Sequence, residues 1–181
     1  MNIFYLHDDP REAARMQCDK HVVKMILESA QMLSTAHRIL DGEETIRRSD
    51  KGRRLKYWEH PKAEYEEILY KPTHVNHPSN VWVRESRGNY TWLLQHFYGL
   101  CKEYTFRYGR THASETKLAE ILWETPINIE PHSETPIKLA MPDQFKSSNL
   151  VRSYRDYYTS KQSDVSMVWT KRETPEWFNV A

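Results

Sequence analysis

Asp19-Lys20-His21-Val22-Val23-Lys24-Met25-Ile26-Leu27-Glu28 lies inside a long helical pattern that runs from about Arg11 to Leu40. Successive residues placed about 100° apart separate two faces. Cys18, Val22, Met25, Ile26, Leu33, Ala36 and Leu40 share a broad apolar arc, and His21, Lys24, Glu28, Gln31 and Thr35 share the other. An apolar arc of that width needs other elements to bury it, so the stretch predicts a packed helical domain. On the polar face His21, Lys24 and Glu28 align over two turns at i, i+3 and i+7. A base, an ammonium and a carboxylate in one row can transfer protons or hold an anion. The plainer reading of the same row is a solvated face with a Lys24–Glu28 ion pair.

Upstream, Asn2-Ile3-Phe4-Tyr5-Leu6 is apolar and rich in β-formers, which predicts a short strand or a buried extended arm. Asp9 suits a helix cap and Pro10 a first helical turn, and Asp41-Gly42 ends the helix. Downstream, Glu43 to Lys56 reads as a charged connection. It carries Arg47, Arg48, Lys51, Arg53, Arg54 and Lys56, with Tyr57-Trp58 at once after it. The run is either a solvated loop or a phosphate contact beside a stacking platform. Pro61 to Leu69 predicts a short helix. Tyr70 to Ser79 is a loop framed by Pro72 and Pro78 that gathers Thr73, His74, Asn76 and His77. Val81 to Tyr108 predicts one long helix with a bend at Gly88 and a stop at Gly109. Arg84 and Arg87 lie on it close to the His-rich loop. Ser114 to Glu124 and Gln144 to Ser160 predict two further helices. The proline-rich segment between them wraps the bundle as a docked loop, and the Trp-containing tail docks as well.

At 181 residues with 39% hydrophobic and 12% aromatic content, the chain is long and apolar enough for one folded domain over residues 1–181. The expected fold is mainly α: a single compact helical domain with a short N-terminal strand or arm and long docked loops. Five glycines and no G-x-x-x-x-G-K-[ST] or G-x-G-x-x-G exclude the common phosphate loops. Cys18 and Cys101 fall at apolar helical positions and read as buried thiols. No leader pattern and no apolar run of about 20 residues is present, so a cytoplasmic protein without a membrane span is expected. The net charge of +1 confers no overall polyanion-binding character, which leaves local patches to supply it.

No G-x-S-x-G occurs, and neither cysteine reads as a nucleophile. His7, Asp8, Asp9, Asp19, His21, His74 and His77 supply enough N and O ligands for a metal-dependent phosphohydrolase or nuclease, although no H-E-x-x-H or closed Cys/His spacing organises them. The third chemistry is an amine and a carboxylate acting at C1′ of a nucleotide, with Glu28 as carboxylate and Lys24, Lys20 or the α-amine as nucleophile.

Asp19-Lys20-His21, with Glu28 seven residues beyond the histidine, resembles the first helix of the phage pyrimidine-dimer DNA glycosylases, where a D-x-H precedes the catalytic glutamate after a short N-terminal arm. Asn76-His77-Pro78, followed by a helix ending in Arg107-Tyr108-Gly109, is similar to the N-H-P and R-G-Y regions of bacterial relatives. The tail Lys171 to Trp177 resembles their basic, Pro-Trp-containing C-terminus. The three patches cover about a quarter of the chain. The chain as a whole also resembles a phage and bacterial family sharing D-K-H-V-V-K-M and T-H-x-N-H-P; this second resemblance implies no activity.

The glycosylase resemblance implies a protein that flips a nucleotide from DNA and cleaves its glycosidic bond, with or without abasic-site lyase activity, and without cofactor or metal. It implies Glu28 as the catalytic carboxylate and His21 and Lys24 as its neighbours. His74, Asn76, His77, Arg84 and Arg87 become the substrate-binding set. The family's nucleophile is an N-terminal threonine amine, whereas this chain begins Met1-Asn2, and asparagine impedes methionine removal. The amine is then that of Met1, of Asn2 or of a lysine, or the lyase step is absent. A non-catalytic phage protein that binds a host partner is the remaining expectation.

Overall fold

The computed structural model describes residues 1–178. Helix formation begins where the cap signals place it. Asp9 accepts hydrogen bonds from the Arg11 and Glu12 amides, Pro10 fills the first turn, and α1 spans Pro10–Arg15. The chain then breaks at Met16–Cys18, and α2 spans Asp19–Asp41, so the single helix expected from Arg11 to Leu40 is two. Partners far away in sequence satisfy the break. The Arg107 guanidinium donates to the carbonyls of Arg15 and Gln17 at 3.1 and 2.9 Å and pairs with Asp19 at 3.0 Å. The Tyr158 hydroxyl accepts from the Cys18 amide, and the Asp19 amide donates to the Val168 carbonyl. Helical periodicity continues through the break, which is why the sequence alone does not reveal it.

Residues 43–56 are the second departure. Glu43–Arg48 (β1) and Arg54–Glu59 (β2) pair antiparallel, with Glu43 opposite Glu59 and Arg48 opposite Arg54. Gly52, at φ +73°, allows the turn between them to close with the Ser49 amide donating to the Arg53 carbonyl. A lone two-stranded ribbon is marginal by itself, so its base has to be held. Arg38 of α2, fully buried, donates to the carbonyls of Trp58, Glu66, Leu69 and Tyr70 and pairs with the Glu66 carboxylate. Arg47 lies 3.6 Å over the Tyr57 ring and pairs with Glu59. The short helix α3 (Ala63–Ile68) follows.

The expected long helix from Val81 to Tyr108 is also divided, into α4 (Pro78–Glu85) and α5 (Arg87–Tyr108), at Ser86 rather than at Gly88. The Ser86 hydroxyl accepts from the Asn89 amide and caps α5. Gly88 has another role. Its amide donates to the His132 carbonyl, and a Cβ there would stand 2.1 Å from the Glu134 backbone nitrogen. The 130–135 segment therefore lies directly on α5. Gly109, at φ +66°, ends α5 as expected, and α6 spans Ala113–Leu122.

The proline-rich segment docks: Trp82 donates to the Thr135 carbonyl, Tyr154 to that of Lys138, and Ile129 and Ile137 are buried. The last helix, α7, spans Leu150–Ser160, shorter at its start than the expected Gln144–Ser160, because Asn149 caps it through the Arg152 amide. The tail returns to the first helix, where the Trp169 indole donates to the Met16 carbonyl. The result is a mainly helical single domain whose core lies between α1, α2, α4 and α5, with both cysteines buried and free. No helix among the described residues is long and apolar enough to cross a membrane.

Candidate active site

Residues 1–6 form an arm and not a strand. The Asn2 side chain folds it: its carbonyl oxygen accepts from the Ile3 and Phe4 amides at 2.8 and 2.9 Å, and its amide donates to the Ala140 carbonyl. Phe4 is held at φ +56°, a strained conformation for an aromatic residue, and lies 4.8 Å from the His21 ring and 4.9 Å from Tyr158. This bend turns the start of the chain onto α2. The Asn2 backbone amide donates to Glu28 Oε2 at 2.9 Å, and the Met1 α-amine lies 3.9 Å from the same oxygen. Lys24, one turn earlier on α2, reaches Glu28 Oε1 at 3.4 Å.

Glu28 is thus more than a surface ion-pair partner. Its side chain is 12% exposed, at the wall of a cleft of about 500 Å³, and it faces an amide, an amine and an ammonium at once. Lys24 is 63% exposed at the mouth, so its pair with Glu28 contributes little to stability. Asn2, one of the residues expected to supply the amine, is a peptide amide while Met1 precedes it. With Met1 removed, its amine would occupy the position 2.9 Å from Glu28. The Met1 side chain is 2% exposed, so the accessible part of that residue is its main-chain end.

His21 lines the cleft from α2. Burial, reinforced by Lys24 and Lys161, lowers its pKa to about 4, so the ring is neutral at pH 7. Its Nδ1 lies 3.5 Å from Cys18 Sγ. It is a packed neutral ring beside the carboxylate, not a cation. His77 enters the cleft from the loop ahead of α4. Its Nδ1 accepts from the Ser79 amide at 3.2 Å, which leaves the proton on Nε2. Burial lowers its pKa first, then the Met1 amine and His74, while Glu28 opposes the shift. The His-rich loop and α2 therefore meet in one site, although 49 residues separate Glu28 from His77.

The other expected binding residues do not enter this cleft. His74 is exposed and bonded to the Thr73 hydroxyl, and Asn76 is exposed beside it. Arg84 donates to the Val75 carbonyl at 2.8 Å and so braces the loop rather than facing an open phosphate position. Arg87 lines a separate opening with His132 and Glu134. In their place the cleft acquires Tyr157, Lys161 and Asp164 from the end of α7 and the turn beyond it. Lys161 pairs with Asp164 at 3.5 Å and lies 4.7 Å over the Tyr157 ring. In the sequence Lys161 follows Arg152 and Arg155 in a small basic strip, and nothing local links that strip to Glu28.

Two wider openings, of about 800 and 690 Å³, meet at His7, Arg155 and Trp177. Several of their charged groups are already paired or bonded: Arg155 donates to the Leu6 carbonyl, Glu12 pairs with Arg15, Arg152 with Asp156, and Arg172 with Glu103. The smaller cleft is the candidate site because its carboxylate faces an amine. The Asp/His set considered for a metal is dispersed: Asp9 caps α1, Asp19 bonds Arg107 and Thr170, and His7 accepts from the Asp9 amide. Among the described residues the converging metal-competent group is a different one, His37, Asp41 and His60 near the end of α2. Comparison with known protein families, curated proteins and solved structures finds no match for this chain.

Proposed function

We propose that this protein is a DNA glycosylase acting on damaged or modified bases, with abasic-site lyase activity through an amine held beside Glu28. The observation that supports it most is the docking of the first two residues on Glu28: an α-amine at 3.9 Å and an amide at 2.9 Å from one carboxylate oxygen, in an open cleft. A nucleophilic amine must be neutral, and α-amines ordinarily lose their proton about two units below lysines. The amine lone pair attacks C1′, and the base departs with the glycosidic electron pair and takes a proton from water. The proton that the amine loses passes by way of Glu28 to the ring oxygen, and the sugar ring opens to a protonated imine. Elimination of the 3′-phosphate then nicks the strand, and water releases the amine. Glu28 opposes the positive charge that develops at C1′ and takes up the proton the amine loses.

Around this centre, His77 offers an N–H donor, and Lys24 and Lys161 offer cations for a flipped nucleotide and its phosphates. The β1–β2 ribbon adds exposed Arg48, Lys51, Arg53 and Arg54. It starts about 21 Å along α2 from Glu28, at about 1.5 Å per residue, a reach within one turn of duplex DNA. Borohydride trapping on duplexes with an abasic site tests the proposal, beside a base-release assay on a panel of dimer-containing and modified duplexes. The expected result is a covalent adduct whose DNA maps to the first peptide by mass spectrometry, which also establishes the mature N-terminus. Neither adduct nor base release on any duplex overturns the proposal.

A further inference from the structure

Near the C-terminal end of α2, His37 and Asp41 stand one turn apart on one face, and His60 follows β2. One ring nitrogen of His37, one of His60 and an Asp41 oxygen lie within 4.8 Å of one another. All three side chains are buried: His37 is 1% exposed, and the side chains of His60 and Asp41 are 1% and 4% exposed. His37 Nδ1 and His60 Nε2 are buried without a hydrogen-bond partner in the protein. Buried polar atoms without a partner are rare and point to a missing ligand.

The surroundings hold the group in position. The Tyr90 hydroxyl donates to the Leu122 carbonyl at 2.9 Å, so its oxygen accepts from His37 Nε2–H, and the lone pair of His37 is on Nδ1, toward the centre. Asp41 accepts from the amides of Ile127 and Asn128, each at 2.9 Å, which fixes the carboxylate and leaves lone pairs on it. Oriented ligands with outer partners of this kind are the usual support of a bound metal.

We propose that His37, Asp41 and His60 bind a divalent cation of the zinc class. Two imidazoles and one carboxylate match zinc, with a solvent position completing the tetrahedron. His60 Nε2 and Asp41 Oδ2 are 3.9 Å apart, and ligands of a tetrahedral zinc stand about 3.4 Å apart, so this edge of the site closes by about half an ångström, and the full set starts within 4.8 Å. His60 Nδ1 now accepts from the Lys62 amide at 3.2 Å, which puts its proton on Nε2. Coordination moves that proton to Nδ1, with no net release, and exchanges one long hydrogen bond for a metal bond. The ion would join α2, the foot of the ribbon and the 127–128 turn, staples that a two-stranded ribbon needs. The site is independent of the Glu28 cleft and does not rest on the proposed activity.

The test is titration of chelator-stripped full-length protein with cobalt(II) chloride, read as visible ligand-field absorption, followed by displacement with zinc chloride. One equivalent per chain with tetrahedral bands, displaced by zinc, is expected, together with a raised melting temperature. His60→Gln and Asp41→Asn, checked for folding by circular dichroism, are expected to weaken binding about 100-fold or more. Wild type without bands overturns the proposal and identifies the centre as a hydrogen-bonded water position. Bands that persist in both folded variants also overturn it, because they place the ion elsewhere.

Discussion

Replacing Glu28 by glutamine probes the proposed chemistry most directly, since it removes a charge and keeps the shape. The glutamine carbonyl can still accept from the Asn2 amide, so the arm keeps its 2.9 Å anchor. Lost is the attraction between the carboxylate and positive charge at the reacting carbon. The Met1 amine marks the distance, 3.9 Å from Oε2, at which that charge develops. At about 4 Å and an effective dielectric of about 20, unit charges attract by about 4 kcal/mol. Each 1.36 kcal/mol corresponds to about tenfold in rate, so single-turnover base release should fall about 10³-fold. Trapping on a preformed abasic site should fall less, because the aldehyde needs no departing base. The melting temperature should stay within a few degrees. A loss of base release below about tenfold would refute the electrostatic role. A fall in melting temperature above about 10 °C would show that Glu28 acts through the fold instead.

Three further outcomes follow from named contacts. Arg107→Met should destabilise the protein by about 3–5 kcal/mol in urea unfolding, because it strands the Arg15 and Gln17 carbonyls and leaves Asp19 and Glu103 short of a buried partner; a loss under about 1 kcal/mol would remove Arg107 as the organiser of the helix break. His21 has a folded pKa of about 4 against an ordinary 6.5, so the unfolded chain binds its proton more readily. Its contribution is complete above pH 6.5 and lost as pH falls toward 4, about 3 kcal/mol in all. His21→Gln should flatten the stability profile in that window, and an unchanged slope would contradict the assigned cause. Arg53→Ala and Arg54→Ala should each weaken duplex binding and lower the salt slope of log K by about 0.9 per phosphate lost. Unchanged slopes would exclude the ribbon from the DNA interface.

The local rules and the tertiary structure divide the site between them. The polar row His21, Lys24 and Glu28 was legible because a helix imposes its 3.6-residue period on any amphipathic stretch, and the Asp9–Pro10 start and Gly109 stop follow from caps that act over one turn. The breaks at Met16–Cys18 and Ser86 were not legible as positions. The first is stabilised by Arg107, Tyr158 and Val168, about 90 to 150 residues away in the chain. The ribbon was hidden because β1 is almost all polar, and in β2 the adjacent Tyr57 and Trp58 break the alternation begun at Leu55. Its pairing rests on Arg38 and Glu66, which local patterning does not connect to it. His77, Lys161 and the Met1 amine join Glu28 only once the Asn2-folded arm and the packing of α4 and α7 around α2 bring them there. The sequence by itself determined the helical content and the row His21, Lys24 and Glu28 on one face of α2, but not where the helices break or which members of that face are buried. Only the tertiary structure decided which polar faces share a cleft, because cleft contacts are long-range and follow from packing, not from periodicity.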